Sequence, residues 1–139
     1  MSTMSLKELD VGDALPNFAA NPITADQIKA FATASGDTNP IHIDDAAAKA
    51  AGFPGVITHG MLNMAMLGRL LTSWAPQRAI RRFETRFVSI SLPGDTITCG
   101  GTVSAKRLLN GETLMDIAIE AKNQNGDTIL SGTAVIAAN

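Results

Sequence analysis

This 139-residue chain has two histidines, and each sits in a short polar stretch that could do chemistry. The first stretch, SGDTNPIHIDD, runs from Ser35 to Asp45. Asp37 and His42 flank a turn stiffened by Pro40, so both side chains can enter one cleft. A carboxylate beside an imidazole is an acid–base pair that can hold a water between its members. The same residues also have a plain structural reading: Asp37 caps the turn and His42 is a hydrogen-bonded core histidine. The second stretch, THGM, spans Thr58 to Met61. Thr58 or His59 can cap a helix that begins at Gly60. A helix N-terminus presents free N–H groups and partial positive charge, and glycine there lets a ligand come close. A carbonyl at that point would have its developing negative charge stabilised. Taken alone, THGM reads more simply as an ordinary helix start with His59 buried and bonded to backbone.

Other chemistries find less support. Asp37, His42, Asp44 and His59 could be metal ligands, but no recognised spacing such as H-E-x-x-H is present. Cys99 falls on the apolar face of a strand pattern and reads as a small buried hydrophobe, not a nucleophile. There is no G-x-S-x-G elbow and no glycine-rich phosphate loop. Arg78, Arg81, Arg82 and Arg86 form a basic run. It reads as a solvated strand edge, or as a contact for the phosphates of a CoA-like ligand or for an acidic carrier protein. Met61, Met64 and Met66 suit a core, or the adaptable lining of an alkyl channel.

The elements that must position these residues follow from pattern. A short extended segment is expected around Leu15 to Ala19. ITADQIKAFATASG predicts a helix, with Thr24 as cap, Gln27 three residues later as in a capping box, and Gly36 as the stop. Pro40 biases Asn39 toward an extended conformation, so the Asp37–His42 segment cannot continue that helix. A short helix restarts at Asp44 or Asp45 and ends at Gly52. The segment from Gly60 to Trp74 is apolar on nearly every side, which predicts a helix buried all round. Four strands follow: AIRRFETRFVSI, TITCGGTVSAK, TLMDIAIEAK and TILSGTAVIAA. The second places Ile97, Cys99, Gly101, Val103 and Ala105 on one face, and the third does the same with Met115, Ile117, Ile119 and Ala121. Asn110-Gly111, Asn125-Gly126 and the PGD at 93–95 supply turns. The expectation is an α+β, hot-dog architecture in one domain over 1–139. A curved antiparallel meander wraps a long buried central helix, because a sheet with one apolar face needs a cover.

Composition narrows the class. The net charge is −2 with 17% charged residues, so no basic patch points to nucleic acid. A single cysteine excludes an internal disulfide framework and suggests a reduced, cytoplasmic setting. MSTMSLKELDVGD lacks the charged and apolar regions of a signal peptide. The most apolar segment is shorter than the roughly 20 residues a bilayer needs, so a soluble protein is expected.

The two motifs also occur together and in order. FATASGDTNPIHIDDAAAKAAGFPGVITHGM resembles the hydratase motif of the MaoC-like dehydratases, the (R)-specific enoyl-CoA hydratases. The resemblance extends more loosely through ETRFVSISLPGDTI to most of the chain. It implies reversible addition of water to trans-2-enoyl thioesters, giving (R)-3-hydroxyacyl thioesters in fatty acid metabolism. Transferred by position, Asp37 and His42 are the catalytic pair and Asn39 orients the water or the histidine. The Gly60 backbone N–H is the oxyanion contact. No separate cofactor is implied, since CoA or acyl-carrier protein is part of the substrate. A dimer with a continuous sheet is implied, and some relatives are heterodimers. Two alternatives remain: a hot-dog thioesterase, and a non-catalytic acyl-binding or partner subunit.

Overall fold

The computed structural model describes residues 8–138. Residues 1–7, which hold much of the stretch read for a signal peptide, lie outside them. Three helices are formed: α1 (Ala25–Ser35), α2 (Asp45–Ala50) and α3 (Gly60–Thr72). Five strands are formed: β1 (Phe18–Ala19), β2 (Ile80–Phe87), β3 (Thr98–Leu109), β4 (Glu112–Lys122) and β5 (Thr128–Ala137).

The local signals act as their chemistry requires. The Gln27 N–H donates to Thr24 Oγ1 at 3.0 Å, which starts α1. Gly36 ends α1 at φ 80°, a left-handed conformation in which a Cβ is disfavoured. Asp44, not Asp45, caps α2 by accepting from the Ala46 N–H. Asn110 and Gly111 both have positive φ, the requirement of the tight hairpin joining β3 to β4.

The antiparallel sheet has the order β1-β3-β4-β5-β2 and curls around α3. The expected meander therefore holds for β3, β4 and β5 only. β2 pairs with β5 at the far edge, and residues 88–97 cross back to β3. That link is too long for a tight turn, which is why PGD does not close a β2–β3 hairpin. The crossover lies beside the start of α3, where the Thr58 N–H donates to the Ser91 carbonyl at 2.9 Å. A second correction concerns β3. A bulge between Val103 and Ala105 shifts the register, so Ala105 faces Asp116 and leaves the apolar row. A third concerns α3, which ends at Thr72 and is not buried all round. Leu62, Met66, Leu67, Leu70 and Leu71 are buried, while Met61, Ala65, Arg69 and Thr72 form an exposed stripe. The open sheet covers only part of the helix circumference.

The core joins α3 to the inner face of the sheet through Leu67, Leu70, Leu71, Val103, Met115, Ile117, Leu130 and Ile136. Cys99 belongs to it, fully buried, and burial pushes its thiol up to about 11. We expect iodoacetamide at pH 8 to leave the native protein unlabelled and to label it once denatured, as mass spectrometry would read. Rapid native labelling would contradict a closed core at this strand. Among the described residues no helix is long and apolar enough to cross a membrane.

Candidate active site

The SGDTNPIH segment folds as a chain of local hydrogen bonds. Asp37 Oδ1 accepts from the Asn39 N–H at 3.3 Å, and Asn39 Oδ1 accepts from the Ile41 N–H at 3.2 Å. These side-chain-to-backbone bonds favour turns over helix. They lead into a single 3₁₀ turn, Pro40–His42, whose proline lacks the N–H that the turn would leave unpaired. His42 is thereby directed inward and is almost fully buried, while Asp37 stays half exposed.

The two side chains meet. His42 Nε2 lies 3.8 Å from Asp37 Oδ2, too far for a direct hydrogen bond. His42 Nδ1 lies 2.8 Å from the Ile57 carbonyl oxygen. A carbonyl only accepts, so Nδ1 carries the hydrogen. In its neutral form the ring would turn a lone pair on Nε2 toward a carboxylate that also accepts. A water at ordinary hydrogen-bond distance from both would donate one hydrogen to each and hold its oxygen lone pairs free.

His59 occupies the N-cap position of α3, but its side chain makes no capping bond. Its Nε2–H donates to the Asp37 backbone carbonyl at 3.0 Å. Its ring stacks on His42, with centroids 3.8 Å apart and planes 21° apart, and meets Phe31 edge-on. His59 thus ties the Asp37 backbone and the His42 ring into one unit. Thr58 does not cap the helix, since its buried hydroxyl has no partner among the described residues.

Gly60 begins α3 and shares with His42 a cavity of about 250 Å³, lined also by Ile57, Thr58, Asn63, Phe87 and Leu130. Its N–H has no backbone carbonyl partner among the described residues. A Cβ at position 60 would lie 3.0 Å from two ring carbons of Phe87, so only glycine leaves room there without moving that ring. A hollow of about 680 Å³ on β2, β4 and β5 is larger but brings together none of these groups.

Of the four residues considered as metal ligands, Asp37, His42 and His59 have ligand atoms within 4.8 Å of one another. Asp44 is taken up capping α2. The trio suits an ion poorly, because stacked imidazoles hold their lone pairs in nearly parallel planes and cannot converge on one point. Of the basic run, Arg81 pairs with Glu112 and Arg82 with Glu84 on the exposed sheet.

Residues 10–125 match the family described as MaoC like domain. The chain belongs to the MaoC-like family. Its curled sheet around one helix is the hot-dog fold, shared with the R-hydratase PhaJ1 of Pseudomonas aeruginosa. That structure is 29% identical with a TM-score of 0.81, over 96% of this chain and 84% of that one. The (R)-hydratase of A. caviae involved in PHA biosynthesis is 27% identical with the same TM-score, over 94% and 97% of the two chains. A mitochondrial 3-hydroxyacyl-[acyl-carrier-protein] dehydratase of Arabidopsis thaliana is 30% identical over 96% of this chain and 80% of its own length. The fatty acid synthase subunit beta of Saccharomyces cerevisiae is 30% identical over 97% of this chain, which spans 6% of that protein's length.

All the site residues fall inside the stretch that matches the MaoC-like family. Sequence reasoning left out the Asn63–Ser91 pair and the Phe87 ring over Gly60. Asn63 had a legible signal: it is a lone amide one turn after Gly60 in a run that is otherwise apolar up to Arg69. Ser91 and Phe87 had none, because the β2–β3 crossover and the end of β2 bring them there.

Proposed function

We propose that this MaoC-like chain is a hydro-lyase that reversibly hydrates trans-2-enoyl thioesters to (R)-3-hydroxyacyl thioesters. The observation that carries the reading is the anchoring of His42 Nδ1 on Ile57. It leaves Nε2 facing the Asp37 carboxylate across 3.8 Å, and His42 also lines the cavity that Gly60 borders. Asp37 and His42 hold the attacking water. Its oxygen bonds to the β-carbon, the π electrons move onto the thioester oxygen, and one member of the pair takes the water proton. A proton returned to the α-carbon completes the addition. The Gly60 N–H and the start of α3 face the negative oxygen. Asn39 acts through the turn it caps, which directs the His42 ring.

The thioester is carried by CoA or acyl-carrier protein, and the setting is cytoplasmic fatty acid metabolism. A homodimer, or a heterodimer with a related chain, joins the β2 edges into one sheet. β2 is an edge strand, and Phe87, Val88 and Ile90 at its end are exposed. The test is a panel of short, medium and long enoyl thioesters on CoA and on carrier protein. It is read by loss of conjugated-thioester absorbance and by product stereochemistry. Hydration to the (R) product is expected. Free thiol release would instead indicate a thioesterase, and tight binding without turnover a partner subunit.

A further inference from the structure

We infer that Asn63 supplies a second hydrogen-bond donor to the thioester carbonyl, beside the Gly60 N–H; this rests on the reading of the cavity as an enoyl-thioester site. Asn63 lies three residues after Gly60, on the same helical face, and helical side chains lean toward the N-terminus. The contacts agree with that direction. Ser91 Oγ–H donates to Asn63 Oδ1 at 3.0 Å, and the Ser91 carbonyl is fixed by the Thr58 N–H just ahead of the helix. The Asn63 side chain therefore reaches back to the start of α3.

Both residues of the pair are closed off from solvent, Asn63 at 2% exposure and Ser91 at 0%. Four of the five other buried residues of α3 are leucine and the fifth is methionine. Asn63 lines the cavity, and with Oδ1 taken by Ser91 its remaining polar atom is Nδ2, for which no hydrogen bond is found among the described residues. Unlike the Thr58 hydroxyl, Nδ2 is not sealed off without a partner, so a group in the cavity can pair with it. At this corner the cavity offers the Gly60 N–H and the Asn63 Nδ2–H. Two donors one helical turn apart suit an oxygen that accepts, and the substrate oxygen that gains charge during hydration is the thioester carbonyl. The serine makes this arrangement rigid before substrate arrives, which is what effective stabilisation of a developing charge requires.

The test compares the wild type with N63L and with N63L/S91A, which removes both partners and leaves no buried hydroxyl orphaned. Two signals are read. In hydration of crotonyl-CoA, kcat should fall about 10²-fold, the effect of removing one such donor, with little change in KM. In a D37N background, bound 2,4-hexadienoyl-CoA should show a red-shifted absorbance from carbonyl polarisation, and N63L/S91A should lose a large part of that shift. The second signal needs no turnover, so an Asn63-dependent shift in a protein that fails to hydrate would uphold this contact and overturn only the hydratase reading. A shift and kcat as large as wild type in the folded double variant would overturn the inference. So would a wild type that shows no shift, or losses confined to particular acyl chains, which would make Asn63 a reader of the acyl group.

Discussion

Asp37→Asn is expected to lower the hydration rate by roughly two to four powers of ten while the protein stays folded. The substitution is close to isosteric. The Asn39 N–H can still donate to the side-chain oxygen at position 37, so the turn survives. What disappears is the carboxylate opposite His42 Nε2, which in the proposed mechanism accepts from the attacking water. His42→Ala should lose as much, since it removes Nε2 together with the anchor on Ile57. On the proposed mechanism the pair handles water and not the thioester, so the loss should fall on kcat rather than KM. If both groups act on one water, the double variant should be little worse than either single one. Steady-state kinetics on crotonyl-CoA, with circular dichroism to confirm folding, measures all three. Full activity in either single variant would remove that residue from the mechanism.

The second large effect is on stability. Gly132 on β5 pairs with Thr85 on β2 and with Ile119 on β4. A Cβ at position 132 would run into the Glu84 carbonyl oxygen and lie 2.8 Å from Thr85 Cα. Both obstacles are backbone, so neither can swing aside without breaking the β2–β5 ladder. Gly132→Ala should therefore cost about 3 kcal/mol or more and lower Tm by about 10 °C. Gly101→Ala is the control. Its Cβ would meet only side-chain methyls of Ile117, Leu15 and Ile119, at 3.1 to 3.3 Å, which can yield. Thermal unfolding of the two variants should separate them clearly, and a Gly132→Ala protein within 2 °C of wild type would refute the close approach.

These two sites differ in how far they could be read from the chain. The Asp37–His42 turn was legible because Asx-type bonds, a proline and a positive-φ glycine are local, and local chemistry is written in adjacent residues. The hairpin at Asn110–Gly111 was legible for the same reason. The partner of β2 was not. Alternation shows which face of a strand is apolar but not which edge it joins, and residues 88–97 carry no signal of their crossover. The bulge at Val103–Ala105 escaped because one added residue in a ladder changes no local propensity. The role of His59 was half legible. Its burial and its bond to backbone were foreseen as the plainer reading of THGM, whereas its acceptor, the Asp37 carbonyl, lies 22 residues away.

On the proposed mechanism, water attacks the β-carbon of an enoyl thioester at the Asp37–His42 pair. The direct measurement is one reaction of crotonyl-CoA in ¹⁸O-labelled water, with the products resolved by mass spectrometry. The label should appear in the 3-hydroxyl of an intact thioester, with no free CoA formed, and should fail to appear with Asp37→Asn. Label in a free carboxylate accompanied by released thiol, or label incorporated equally well without Asp37, would contradict it.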